Sequence, residues 1–201
     1  LKDVVSTENG YTAAGESYSQ DLGKGDLADI SPYGGYDAVI ISFDTEGNML
    51  WSDSFGGSGN DGFLGITAVS DGYVTAGYAY APSFGNGTLS DIVNKGGSDA
   101  VAVKYDTEGR RSWITTFGGS GADRFNKIKC ISDSLYIACG YTFPSGTEDT
   151  EGLTGYGNTD AALIQLEDLP LEIIPGDIDG NGIVNRIDSA LLLKYLSNIL
   201  L

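Results

Sequence analysis

The sequence predicts a mainly β fold assembled from an internal repeat, with a short loop-helix unit at its C-terminal end. Three observations predict it. A pattern of about 62 residues recurs along residues 1–168, marked by Trp51 and Trp113, Gly47 and Gly109, and Gly10 and Gly72. Apolar runs of strand length alternate with clusters of Gly, Asp and Ser, residues that favour turns. After residue 176, oxygen-bearing side chains recur at regular intervals and lead into an amphipathic stretch.

Composition bounds the function. Glycine supplies 30 of the 201 residues, about double its usual share of roughly 7%. There are 28 acids against 11 bases, a formal charge of −17, and no histidine. Without histidine there is no Ser-His-Asp or Cys-His catalysis and no His-ligated zinc site. The negative balance argues against nucleic acid and anionic membranes as partners. Hydrophobic residues reach 41%, enough for a packed core. No run approaches the ~18 apolar residues of a membrane span. The chain opens at Leu1 with no signal-peptide pattern and in the middle of a repeat, so the expectation is a fragment of a longer protein.

Each full repeat reads as four strands. In DAVIISFDTEGNMLWSDSF (37–55) and DAVAVKYDTEGRRSWITTF (99–117), the first strand is apolar on both faces. Val39, Ile41 and Phe43 point one way and Ala38 and Ile40 the other, which suits a strand covered on both sides. DTEG at 44–47 and 106–109 predicts a hairpin turn, with glycine at positive φ and aspartate bonding its own backbone. The second strand carries Trp51 or Trp113 and ends in FGGSG, followed by Asp61 or Asp123. Turns at Asp71-Gly72 and Asp133-Ser134 join the third and fourth strands, and a long polar stretch such as 80–97 leads to the next repeat. A third copy begins at Asp160 (DAALIQLED), and GYTAAG at 10–15 belongs to an earlier, headless copy.

Four antiparallel strands per repeat form the unit of a β-propeller blade. The pattern DAxxxxxDTEGxxxWxxxFGGSGxD resembles the blade repeats of secreted bacterial β-propellers. The expected fold is therefore a partial β-propeller of about two and a half four-stranded blades over 1–168, the C-terminal end of a larger one. An open array of stacked four-stranded sheets is the rival reading.

Residues 169–176 (LPLEIIPG) form a linker stiffened by two prolines. From Asp177, oxygen ligands fall at loop positions one, three, five, nine and twelve: Asp177, Asp179, Asn181, Asn185 and Asp188. Gly182 takes position six, where an EF-hand loop turns sharply, and Ile183 at position seven would offer its carbonyl. Hard Ca²⁺ takes 6–8 oxygens, so this alternation predicts a calcium loop over 177–188. A helix is expected from about 186 to 198, with Ile187, Leu191 and Tyr195 on one face. Ile173-Ile174-Pro175-Gly176 excludes the entering helix of an ordinary EF-hand.

DIDGNGIVNRIDSALLLKYL, with aspartate at position twelve, resembles the first repeat of a type I dockerin. The resemblance implies that 177–201 is the first half of a dockerin, with Asp177, Asp179, Asn181, Ile183, Asn185 and Asp188 as Ca²⁺ ligands. It further implies that Arg186, Ile187, Leu193 and Lys194 contact a cohesin domain of a scaffoldin or surface protein. The implied setting is secreted and extracellular, in a cellulosome-type or cell-surface complex tied to polysaccharide breakdown.

Other motifs carry less. GGSG at 56–59 and 118–121 lacks the Lys-Ser/Thr and helix of a P-loop and reads as a turn. Trp51 and Trp113 suit blade packing or stacking on sugars, and Tyr33, Tyr36, Tyr80 and Tyr156 lie where loops offer contact surfaces for glycan or protein. Cys130 and Cys139 flank a hairpin turn and read either as a disulfide or as two thiols. Asp37, Asp99 and Asp160 start strands, Asp44 and Asp106 belong to turns, and nothing selects a catalytic pair. The expectation is a non-catalytic protein that docks through calcium and uses its propeller as an interaction module. The alternative is a fragment of a cellulosomal glycoside hydrolase acting through two carboxylates.

Overall fold

The structure, a computed structural model, describes residues 1–143, 146, 148–153, 155 and 157–168. The linker 169–176, the calcium loop and the helix expected at 186–198 lie outside them.

Three antiparallel sheets follow one another along the chain. Sheet one runs β1 (Asp3–Thr7), β2 (Gly10–Tyr18), β3 (Tyr36–Asp44) and β4 (Met49–Phe55), paired in that order. Sheet two repeats the arrangement with β5 (Asp61–Val69), β6 (Gly72–Tyr80), β7 (Ser98–Asp106) and β8 (Arg111–Phe117). Sheet three contains β9 (Arg124–Ser132), β10 (Leu135–Thr142) and β11 (Asp160–Glu167), with β10 in the middle. Among the described residues this gives two four-stranded sheets and one of three strands, with no closed barrel.

The hairpins β3–β4 and β7–β8 are equivalent. Ala38 pairs with Phe55 as Ala100 pairs with Phe117, and both hairpins bulge at the same place, Ser42/Phe43 and Lys104/Tyr105. Their DTEG turns place Gly47 at φ 88° and Gly109 at φ 82°, left-handed values that suit glycine. Asp44 Oδ1 accepts from the Asn48 N–H at 2.8 Å, and Asp106 Oδ1 from the Arg110 N–H at 2.8 Å. Both expectations about these turns therefore hold.

The sheet boundary differs from the repeat boundary drawn at Asp37. β6 pairs with β7 along its whole length, from Gly72↔Asp106 to Tyr80↔Ser98, across the long polar segment 81–97. That segment is thus a connection inside one sheet. The crossing between sheets is the short FGGSG stretch after β4 or β8, so the repeat read from Asp37 is shared by two sheets. Short 3₁₀ turns at Ser19–Asp21, Gly25–Leu27, Ala81–Ser83, Gly87–Leu89 and Glu148–Thr150 shape the long connections.

Each sheet presents small residues on one face and large ones on the other. Ala14, Ala38 and Ile40 of sheet one bury against Phe63, Tyr73, Val101, Val103 and Tyr105 of sheet two. Val74, Ala76, Ala100 and Ala102 of sheet two bury against Phe125, Ile128, Tyr136 and Ala138 of sheet three. Removing a side chain such as Phe63 or Phe125 from water contributes about 1.5–3 kcal/mol, so these layers hold the sheets in sequence. β7 is buried on both faces from Ser98 to Tyr105, around the apolar run Ala100–Val103. β11 has the same pattern with one face bare, and Leu163 is 71% exposed.

The tryptophans tie each sheet to the next. Trp51 on β4 donates its indole N–H to the Thr107 carbonyl at 2.9 Å, and its ring centroid lies 5.9 Å from that of Tyr73. Trp113 on β8 donates to Asp168 and lies 6.1 Å from Tyr136. Both act in packing. Among the described residues, no helix is long and apolar enough to cross a membrane.

Candidate functional site

The long connections β2–β3, β6–β7 and β10–β11 gather at the sheet ends where the GGSG segments cross. Gly35 N–H donates to the Gly59 carbonyl at 2.8 Å, and Gly97 N–H to the Gly121 carbonyl at 2.6 Å. The GGSG amides are occupied by the protein itself. Gly57 N–H donates to Asp61 Oδ2 at 2.9 Å, Ser58 N–H to Asn86 Oδ1 at 2.7 Å, and Gly59 N–H to Ser83 Oγ at 2.9 Å. No row of free donors is left here for a phosphate, in line with the reading of these segments as turns.

Beneath this surface lie four fully buried aspartates at repeat positions: Asp37, Asp61, Asp99 and Asp123. Asp37 accepts from Ser19 Oγ and from the Tyr33 N–H at 3.2 Å. Asp61 Oδ2 also takes the Ser83 hydroxyl at 2.7 Å. Asp99 Oδ2 takes the Lys95 N–H at 3.0 Å. Asp123 takes the Gly119 N–H at 3.0 Å through Oδ2, and the Thr142 hydroxyl with the Phe143 N–H through Oδ1. Asp37, Asp61 and Asp99 each keep one buried oxygen, Oδ1, without a hydrogen-bond partner.

The aspartates act in pairs across the sheet joints, Asp37 with Asp61 and Asp99 with Asp123. A Cβ on Gly118 would meet Asp123 Oδ2 at 2.7 Å and Asp99 Oδ1 at 3.0 Å, so two carboxylates converge on one backbone point. Burial pushes the Asp61 carboxyl up to about 6, against the pull of the Gly57 amide and Ser83, with the Asp37 charge adding to the rise. Burial likewise pushes Asp99 up to about 6, opposed by Lys95 and assisted by Asp123 and Asp149. Such pairs brace the connections. All four carboxylates are closed off from solvent by the connections they brace.

The accessible chemistry lies above them. Tyr18 and Tyr36 pack with ring centroids 5.3 Å apart and are 41% and 45% exposed. Tyr80 is exposed beside Tyr78, whose hydroxyl donates to Glu16 at 3.0 Å. The Arg124 guanidinium lies between Tyr78 and Tyr141, 5.8 and 5.2 Å from the ring centroids. Tyr33 gives its backbone N–H to Asp37. An open depression of about 500 Å³ in the β6–β7 connection is lined by Phe84, Ile92, Val93, Asp91 and Asn94 among others.

The expected calcium ligands Asp177, Asp179, Asn181, Ile183, Asn185 and Asp188 lie outside the described residues. So do the expected partner-contact residues Arg186, Ile187, Leu193 and Lys194, and Tyr156. Among the described residues, no group of three or more His, Cys, Asp or Glu side chains is placed to hold a metal ion. Cys130 and Cys139 are free thiols. Cys130 packs toward sheet two while Cys139 is exposed on β10 opposite Lys127, so the pair is not bonded.

The sequence did not single out the buried pairs or Arg124. The pairs had a signal, since Asp37 and Asp99, and Asp61 and Asp123, are each 62 residues apart. Arg124 had none, because it has no charged counterpart at Gly62. No protein-family model matches the chain, and no curated protein is significantly similar to it.

Proposed function

We propose that this is a secreted, non-catalytic protein that docks to a cohesin domain through a calcium-bound dockerin unit at its C-terminal end, with a β-propeller as its interaction module. The observation that carries the reading is the spacing of Asp177, Asp179, Asn181, Asn185 and Asp188 around Gly182, followed by the apolar face of Ile187, Leu191 and Tyr195. Five oxygen side chains and one backbone carbonyl supply the ligand number that Ca²⁺ takes, and the cation offsets repulsion among three carboxylates. Arg186, Ile187, Leu193 and Lys194 are the residues that would meet the cohesin. The propeller assignment is supported by consecutive antiparallel sheets packed face to face through equivalent residues. Its exposed tyrosines and the depression beside Phe84 offer surface for polysaccharide or protein.

A pull-down of the 201-residue chain against a panel of type I cohesin domains, in calcium and in EDTA, tests the reading. Retention in calcium, loss in EDTA and loss in the Asp177→Ala, Asp179→Ala double variant are expected. Failure of every cohesin to retain the chain in millimolar calcium would overturn it.

A further inference from the structure

The two ends of the sheet array are complementary to each other. Every internal joint uses one pair of large residues and one pair of small or aliphatic residues at fixed register. The large pair is Tyr73–Tyr105 on sheet two and Tyr136–Leu166 on sheet three, cross-strand partners in both cases. The receiving pair is Ala14–Ile40 on sheet one and Ala76–Ala102 on sheet two. The first joint buries Tyr73 and Tyr105 against Ala14 and Ile40, and the second packs Tyr136 and Leu166 with Ala76 and Ala102.

One pair of each kind is left over. Tyr11 and Phe43 are cross-strand partners at the register of the large pairs, on the face of sheet one turned away from sheet two. Their rings stack at 5.1 Å, Tyr11 is 38% exposed, and Val4 on the same face is 58% exposed. Cys139 and Leu163 are cross-strand partners at the register of the receiving pairs, on the face of sheet three turned away from sheet two. Cys139 is exposed, Leu163 is 71% exposed, and Ala161 beside them is exposed as well. Ala161 stands where Ala38 and Ala100 stand in the buried joints.

We propose that the outward face of sheet three receives the outward face of sheet one of a second copy of this chain, so that copies join head to tail. The occupant follows from the molecule's own joints, because the face that already fills the receiving pairs of sheets one and two is the face that sheet one presents to solvent in the 201-residue chain. The contact is heterologous. Tyr11 and Phe43 of one copy enter beside Cys139 and Leu163 of the next, and repetition gives a ring if the rotation closes and a filament if it does not.

The test is light scattering coupled to size exclusion, in EDTA so that calcium-dependent contacts of the C-terminal unit play no part. The 201-residue chain is expected to run above monomer mass, increasingly so at higher concentration. Leu163→Asp destroys one face and Tyr11→Asp the other, so each variant alone is expected to be monomeric. Mixed in equal amounts they are expected to give a dimer that goes no further, since each retains the face the other lacks. Circular dichroism checks folding, and Leu163→Ser with Tyr11→Ser replaces any aspartate variant that fails to fold. A wild-type chain that stays monomeric at high concentration overturns the proposal. So does a mixture that stays monomeric, or a single variant that still self-associates.

Discussion

At the joint between sheets one and two, the Trp51 indole donates to a backbone carbonyl, that of Thr107. At the joint between sheets two and three, the Trp113 indole donates to a carboxylate, Asp168, which also takes the Tyr136 hydroxyl and the Lys104 ammonium. The same contrast recurs at the long connections. Gly56 N–H is met by the Thr88 hydroxyl, whereas Gly118 N–H is met by Asp149, which pairs with Lys95 at 2.5 Å. The repeat therefore sets where a partner must stand and which aromatic residue must pack. Whether the acceptor is neutral or charged is left free. The first joint adds to its apolar packing one ion pair, Arg111 with Asp53 at 3.2 Å, and the Tyr78 hydroxyl on Glu16, whereas the second gathers Lys104, Trp113 and Tyr136 on the single carboxylate of Asp168.

The apolar layer is the part the joints share, and breaking it should give the largest effect. Phe63→Ala and Phe125→Ala each empty a fully buried site at an equivalent place, and each should cost about 3–5 kcal/mol in chemical denaturation. Equal losses would support one packing scheme for both joints. A much smaller loss for Phe125 would show that charge, not packing, holds sheet three.

The network around Asp168 should give the next largest effect, at the second joint. The Lys104 side chain is only 7% exposed, and Asp71, its other carboxylate at 3.0 Å, is mostly in solvent. Burial alone would lower the Lys104 pKa, but the Asp168 and Asp71 carboxylates outweigh it and hold the ammonium charged. Asp168→Ala strips the better-buried partner and should cost about 2–3 kcal/mol. Thr107→Ala keeps the backbone carbonyl that Trp51 uses and should stay within about 0.5 kcal/mol of the wild type. Comparable losses from the two substitutions would erase the distinction between the joints.

Much of this was legible in the residues. Trp51 and Trp113 at one spacing gave the repeat, DTEG gave the hairpins, and the apolar run Ala100–Val103 gave a strand covered on both faces. The sheet boundary was not legible. FGGSG and the segment 81–97 are both rich in turn residues, and only the pairing of β6 with β7 decides which of them leaves the sheet. The carboxylates recurred at the repeat spacing, but their burial was not legible, because an aspartate at a strand start is usually solvated, and here the overlying connections remove the water. Lys104 occupies the position of Ser42 in sheet one, so nothing local marks it as buried. The calcium loop rests on spacing alone, which is why its test is a binding experiment.

The carboxylate pairs sharpen the comparison through pH. Asp61 at the first joint and Asp99 at the second both sit near 6 when folded, above the 3.8 of an unburied aspartate. A raised carboxyl pKa means the folded state holds a proton that the unfolded chain gives up, so acid favours folding. The contribution is fully present below about 3.8 and is lost as pH rises through about 6. Each group should shift stability by roughly 1 kcal/mol between pH 4.5 and 7, allowing for partial screening. Asp61 faces Asp37 and the neutral Ser83 hydroxyl, while Asp99 faces Asp123, Asp149 and the Lys95 ammonium. Lys95 opposes the rise at the second joint and Asp123 and Asp149 offset it, so both carboxyls reach about 6, and Asp61→Asn and Asp99→Asn should flatten the pH profile by similar amounts. Melting temperatures of both variants at pH 4.5, 5.5 and 7 decide the matter. Profiles that fall toward acid in the wild type, or that neither substitution changes, would show that these carboxyls are ionised in the folded joints throughout.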